Sequence, residues 1–433
     1  MLAGRSLPLF LSASALFATW FGSETVFGAS SQFLEGGLLG VIEDPFGAAL
    51  CLFLFGMFFT RKLYRMNLLT LGDFFKRRYG RNAELVASVF LAPPYVGYIA
   101  AQLVAMALIL NVVTGIILWQ GIAICAVVVT LYTYIGGMWA ISVTDFVQSI
   151  LIIVGLFVLS IILANKAGGF SAVMDDVPPE TFRFLPPADF KSVITYLAAW
   201  SVLGLGSIPS QDVFQRAMSS KSANTAMYAC YAGAGLYLVF AMLPLFISLC
   251  TQKLYPEQIS GDTQLVLPSM VLLHTNIFVQ ILFFGSLLSA IMSTTSSALL
   301  APAAIFSENL IKPIFGHRIG DKELLLTTRL SILVFSLVAS VMASMRSNIY
   351  ELVGESSILS LVSLFVPLTL GLYWRRSSAA GAIAAMISGM TAWLIFERWD
   401  IGVPSLVPAT TVSLVVMIGV SLLSESKKAI RSA

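Results

Sequence analysis

Two octapeptides decide the fold: Ala18-Thr19-Trp20-Phe21-Gly22-Ser23-Glu24-Thr25 and Leu203-Gly204-Leu205-Gly206-Ser207-Ile208-Pro209-Ser210. Each sits in a long apolar run and carries residues that a continuous membrane helix avoids. Proline removes a backbone donor and glycine weakens a helix, so both stretches are candidate unwound segments. Unpaired backbone in lipid is prohibitively costly unless it lines a cavity enclosed by protein. Taken singly, Gly and Ser in a membrane helix permit close packing. Taken as a pair in two long spans, they read as matched helix breaks.

Working outward, the whole chain is a membrane sequence. Of its 433 residues 58% are hydrophobic and 11% charged, against roughly a quarter charged in a soluble domain. That excludes a soluble globular protein. The net charge of +3 is small and scattered, which excludes a nucleic-acid partner. Cys51, Cys125, Cys230 and Cys250 lie in apolar runs without a C-x-x-C pair and read as packing residues. Neither His274 nor His317 has a second ligand at metal spacing, and no phosphate-binding Gly-x-x-x-x-Gly-Lys-Ser/Thr loop is present.

A spanning helix needs about 20 apolar residues. Twelve candidate spans follow, at 9–33, 45–60, 83–112, 117–136, 144–165, 192–209, 224–250, 276–306, 325–344, 349–372, 377–396 and 404–424. Residues 1–33 lack a basic start and a small-residue cleavage site, so no cleavable leader is expected. With residue 1 inside, nineteen Lys and Arg fall on the inner side, among them Arg61, Lys62, Arg65, Lys76, Arg77, Arg78 and Arg81. Six fall outside: Lys166, Arg183, Lys191, Lys253, Arg346 and Arg398. Cytoplasmic loops carry the basic excess, so this is the expected orientation. The 166–191 loop, with Gly168-Gly169, Pro178-Pro179 and Pro186-Pro187, then lies outside and connects two halves of five spans.

The broken first and sixth spans are corresponding members of those halves. Interrupted helices at matching positions point to a midplane substrate and ion site in an inverted-repeat transporter. The expected fold is an all-α polytopic membrane protein, a five-plus-five inverted-repeat helical bundle. It forms one domain over 1–433, with core repeats at about 9–165 and 192–372 and peripheral helices at about 377–424.

Three motifs resemble the sodium:solute symporter family, and the likeness covers nearly the whole chain. Tyr134-Ile135-Gly136-Gly137-Met138-Trp139-Ala140-Ile141-Ser142-Val143-Thr144-Asp145-Phe146-Val147-Gln148 is similar to its Gly-Gly-x-x-Ala-x-x-x-Thr-Asp-x-x-Gln signature. Ala290-Ile291-Met292-Ser293-Thr294-Thr295-Ser296-Ser297 and Ala3-Gly4-Arg5-Ser6-Leu7-Pro8 are the others. Family members normally carry one further helix upstream of that last loop; the start of this chain is expected to reflect a truncation or a member lacking it. The resemblance implies a leucine-transporter-like bundle of ten core helices plus two peripheral ones.

It also implies a sodium site lined by Ala18, Phe21, Ala290, Ser293 and Thr294. Hard cations prefer several oxygen ligands. Hydroxyls at 293, 294, 296 and 297 and carbonyls released at 18–21 would supply them; alone, such a Ser/Thr run more often satisfies helix hydrogen bonds. Asp145 either coordinates a cation with Ser296 and Ser297, serves as an exit-path acid, or caps a helix start. Segments 18–22, 131–133 and 206–216 are most similar to the choline-transporter branch, which holds a quaternary ammonium among aromatic rings. Trp20 falls at one such position, whereas Ser210 and Val353 stand where that branch would show tryptophan.

Substrate contacts are expected at Trp20, Glu24, Tyr95, Tyr98, Gly206, Ser207 and Ser210. Tyr95 and Tyr98 share a face beyond Pro93-Pro94, lining a cavity or simply packing. Glu24 and Glu355, both inside apolar runs, bind substrate, pair internally or gate. The functional expectation is a sodium-coupled symporter, not an enzyme, importing a small polar solute, amine-bearing rather than choline, with Na+ as coupling ion. Its partners are that solute and the lipid bilayer; oligomeric state is left open. It is expected as a multi-pass protein of a bacterial inner membrane. A membrane-embedded sensor is the alternative, and the short tail after residue 424 would then require a separate signalling partner.

Overall fold

The computed structural model describes residues 3–133, 138–259, 261–312, 320–399 and 402–432. Apart from one isolated bridge between Leu7 and Ser220, the regular elements among them are helices. Helix α1 opens as Leu9–Trp20, breaks at 21–22 and resumes over 23–40 with a π-helical stretch, Glu24–Ala29. Then come α2 (Ile42–Arg65), α3 (Arg81–Thr114), α4 (Leu118–Thr133) and α5 (Met138–Lys166). Helix α6 runs as Phe190–Gly206, bends by 51° and continues as Gln211–Met218. After it follow α7 (Ala223–Leu254), α8 (Ile277–Ile311), α9 (Asp321–Met345) and α10 (Ile349–Tyr373), with α11 (Ala379–Phe396) and α12 (Leu406–Ser432) at the periphery.

Among the described residues nine helices are long and apolar enough to cross a membrane, or ten with the bent α6 pair counted as one span. The other two anticipated spans are α1, whose break shortens its apolar limb to 12 residues, and α4, described for 16. One boundary needs correction. The sixth span was expected to end at 209, but after its break it continues to Met218. Ser210 adopts extended backbone and its carbonyl accepts the Phe214 N–H at 3.1 Å, which restarts the helix.

Helix packing shows the repeat. Helix α1 packs on α7 and α5, while α6 packs on α2 and α10; α5 packs on α8, while α10 packs on α3. Exchanging helices one to five for six to ten converts each pairing into another of the set. Helix α3 is buried without interruption from Tyr98 through Ile109, as expected of a helix at the centre of a bundle. By contrast, α9 exposes Leu330, Val334, Leu337 and Val341, an apolar face suited to lipid.

Short helices fill the connections. Leu71–Tyr79 starts on a capping box in which Thr70 and Asp73 bond each other's backbone. At its N-terminus α6 is capped by Asp189, which accepts the Ser192 N–H at 2.9 Å, and that bond holds its carboxyl below the usual carboxylate pKa. Gly37 turns the C-terminal end of α1 at φ 60°; a Cβ there would stand 2.6 Å from the Thr181 carbonyl oxygen.

Candidate functional site

The α1 break is built so that its freed carbonyls meet protein donors. The Ala18 carbonyl accepts the Thr294 hydroxyl at 3.2 Å, and the Thr19 carbonyl accepts the Tyr98 hydroxyl at 2.8 Å. The Trp20 carbonyl accepts Thr25 at 3.1 Å and Tyr237 at 3.3 Å. This satisfies the condition for irregular backbone at membrane depth. The Phe21 ring stacks on Phe17, with centroids 4.7 Å apart, so its backbone is what can face an ion.

Opposite the break, α8 presents Ala290 and Thr294 on one face, one turn apart. Ser293, Ser296 and Ser297 share a neighbouring face, and all five residues are buried. The Ser293 hydroxyl donates to Asp145 Oδ1 at 2.7 Å, and Arg216 Nη2 lies 3.5 Å from Asp145 Oδ2. The hydroxyls of Ser296 and Ser297 are buried without a hydrogen-bond partner. Carbonyl, hydroxyl and carboxylate oxygens, two of the hydroxyls unpaired, are the donor type that suits a hard cation. Asp145 is no helix cap, because α5 begins two turns earlier at Met138. Of the signature segment, Tyr134–Gly137 and the side chains of 138–142 lie outside the described residues.

Beside the break lies a small cavity of about 40 Å³. Trp20, Tyr95, Tyr98, Ser207 and Ser210 line it together, with Val353 and three serines of α10, Ser356, Ser357 and Ser360. Ser207 and Ser357 hydroxyls meet at 3.0 Å. The cavity also holds an acid that the sequence reading missed. Asp212 lines it, and its Oδ1 accepts the Tyr95 hydroxyl at 2.9 Å. The available signal was an acid two residues past the second break, in Ser210-Gln211-Asp212.

Two of the residues expected to contact substrate do not line this cavity. Glu24 is buried but is not among the residues lining the cavity; its carboxylate accepts Ser23 at 2.9 Å, Gln102 at 3.0 Å and Tyr98 at 3.3 Å. Its hydrogen-bonding capacity is taken up inside the protein, as burial demands. Gly206 serves packing, since a Cβ there would collide with the Ser357 carbonyl of α10. Glu355 forms an ion pair with Arg346 at 2.5 Å. The four cysteines are free and buried, and among the described residues no group of three His, Cys, Asp or Glu could hold a metal ion.

Residues 1–389 match the Sodium:solute symporter family. The high affinity choline transporter 1 of Homo sapiens is 27% identical over 407 residues, which is 90% of this chain and 69% of that protein. The high-affinity proline transporter PutP of Bacillus subtilis (strain 168) is 27% identical over 451 residues, covering 98% of this chain and 92% of that one. Among solved structures, a Na+-coupled sialic acid symporter in a substrate-bound outward-open state superposes with a TM-score of 0.80 at 20% identity, covering 97% of this chain and 91% of its own. Mhp1 in an inward-facing conformation superposes with a TM-score of 0.64 at 16% identity, covering 98% and 92%. These likenesses carry the fold.

Proposed function

Because the chain belongs to the sodium:solute symporter family, we propose that it couples inward movement of Na+ to uptake of a small polar organic solute across a bacterial inner membrane. One observation supports this reading: a single helix break adjoins both the hydroxyl series of α8 and the cavity. The Ala18 carbonyl faces Thr294 of α8, while Trp20, two residues on, lines the cavity against α3, α6 and α10. A cation bridging α1 and α8 therefore sets the position of the backbone that carries the cavity wall. Binding of the ion and the solute is then coupled, and thermodynamic linkage makes that coupling reciprocal.

Na+ is held by the carbonyls of Ala18, Phe21 and Ala290 and the hydroxyls of Ser293 and Thr294. Asp145, Ser296 and Ser297 form an adjoining oxygen cluster. A membrane potential adds about 2.3 kcal/mol per charge per 100 mV to the concentration gradient. The solute occupies the cavity among Trp20, Tyr95, Tyr98, Ser207 and Ser210. With one indole, two tyrosine rings and several hydroxyls in place of further tryptophans, the cavity offers more hydrogen-bond acceptors to a polar, amine-bearing solute than it offers strong π faces to a quaternary ammonium.

Uptake into proteoliposomes tests the reading. An inward Na+ gradient should drive accumulation of one solute from a panel of amines, amino acids, carboxylates and vitamins, and replacing Na+ by K+ should abolish it. Accumulation indifferent to Na+ would refute the coupling.

A further inference from the structure

We infer that Asp212 is the carboxylate that fixes the solute, and that the solute carries a protonated nitrogen with at least one N–H. This rests on the reading of the central cavity as the solute site and names the solute class. Among the residues lining that cavity, Asp212 is the one ionisable acid and no Lys, Arg or His is present. Its Oδ1 is fixed by the Tyr95 hydroxyl at 2.9 Å, and Tyr95 also lines the cavity.

The charge of Asp212 lacks a fixed counterion. Arg216 lies one turn further along the same limb but is directed at Asp145, 3.5 Å away. Among the described residues no ion pair includes Asp212. It stands in the first turn of the limb Gln211–Met218, directly after the break. Asp212 is half-buried at the cavity wall, and an arriving cation would supply the counterion that the protein does not.

The geometry of the wall then selects among cations. A primary or secondary ammonium donates a charge-assisted hydrogen bond to Asp212 and has further N–H groups for the hydroxyls of Ser210 and Ser357. A quaternary ammonium donates no hydrogen bond to Asp212 and depends on the ring faces of Trp20, Tyr95 and Tyr98, with Val353 on the α10 wall. Glu24 cannot substitute for Asp212, because Ser23, Tyr98 and Gln102 already occupy its oxygens.

The test is thermal unfolding of the purified full chain in detergent and Na+, titrated with ethanolamine, its N-methyl and N,N-dimethyl derivatives and choline, and with piperidine, proline, acetate and glucose. Stabilisation by N–H-bearing amines is expected, with choline at least about tenfold weaker than the best of them, which is about 1.4 kcal/mol. Asp212→Asn, which keeps an acceptor for Tyr95, should weaken the best amine at least about tenfold and flatten the methylation series. Asp212→Glu should retain the order, and Glu24→Gln should leave it unchanged. Na+-dependent stabilisation of each variant reports that it is folded.

The inference is overturned if choline, acetate or glucose binds best, if no N–H-bearing amine stabilises the folded chain, or if Asp212→Asn binds like the parent. Na+-driven uptake of a solute lacking N–H would overturn this inference and leave symport standing. Absence of any Na+-driven uptake would reject the symport reading itself.

Discussion

Replacing Asp145 by Asn separates two attachments that the structure gives one carboxylate. Oδ1 accepts the Ser293 hydroxyl at 2.7 Å, and an Asn oxygen preserves that bond. Oδ2 faces Arg216 at 3.5 Å, with side chains 2% and 1% exposed for Arg216 and Asp145. In Asp145→Asn the guanidinium stays buried without its counterion, a change that costs about 3–5 kcal/mol when one partner of a buried pair is removed. That is a large share of a typical folding free energy of about 5–15 kcal/mol. Removing the stranded cation as well, in Asp145→Asn with Arg216→Met, should restore most of the loss, because replacing a buried pair by apolar groups is often close to neutral. If Asp145 also contributes to ion binding, the Na+ concentration for half-maximal uptake should rise at least about tenfold, or about 1.4 kcal/mol, in both the single and the double variant. Thermal unfolding in detergent and Na+-dependent uptake in proteoliposomes read the two quantities separately. Parental Na+ dependence in the double variant would show that Asp145 serves only to neutralise Arg216. An unchanged unfolding midpoint in the single variant would refute the energetic argument for the pair.

Other expectations follow from the same contacts. Thr294→Ala removes the hydroxyl that faces the Ala18 carbonyl; the Na+ requirement for uptake should rise about tenfold, while solute affinity at saturating Na+ changes much less. Gly206→Ala places a methyl against the Ser357 carbonyl and should slow uptake and lower thermal stability by about 1–3 kcal/mol, as overpacking does; parental behaviour would show that α6 and α10 can separate freely there. Glu180→Cys should react with an impermeant thiol reagent from outside and Lys322→Cys should not, since both positions are exposed and the native cysteines are buried; the opposite labelling pattern would invert the orientation.

Local chemistry determined what was legible in the sequence. Gly22, Gly204, Gly206 and Pro209 weaken a helix wherever they occur, so the two breaks and the paired architecture could be read without coordinates. Apolar run lengths and the basic loops were equally local, and they sufficed for the polytopic class. The hydroxyl series on α8 was visible because residues three and four apart share a helix face. The structure decided what each acid meets. Glu24 and Asp212 both follow a helix break at short range, and nothing in their neighbours distinguishes them. Asp212 reaches the cavity because the 51° bend of α6 brings it to Tyr95, 117 residues away in sequence. Glu24 is enclosed because α3 sets Tyr98 and Gln102 against it. The pairing of Asp145 with Arg216 likewise joins α5 to the second limb of α6. Such contacts depend on how each helix is rotated and where its neighbours lie, and those are set by packing the whole bundle.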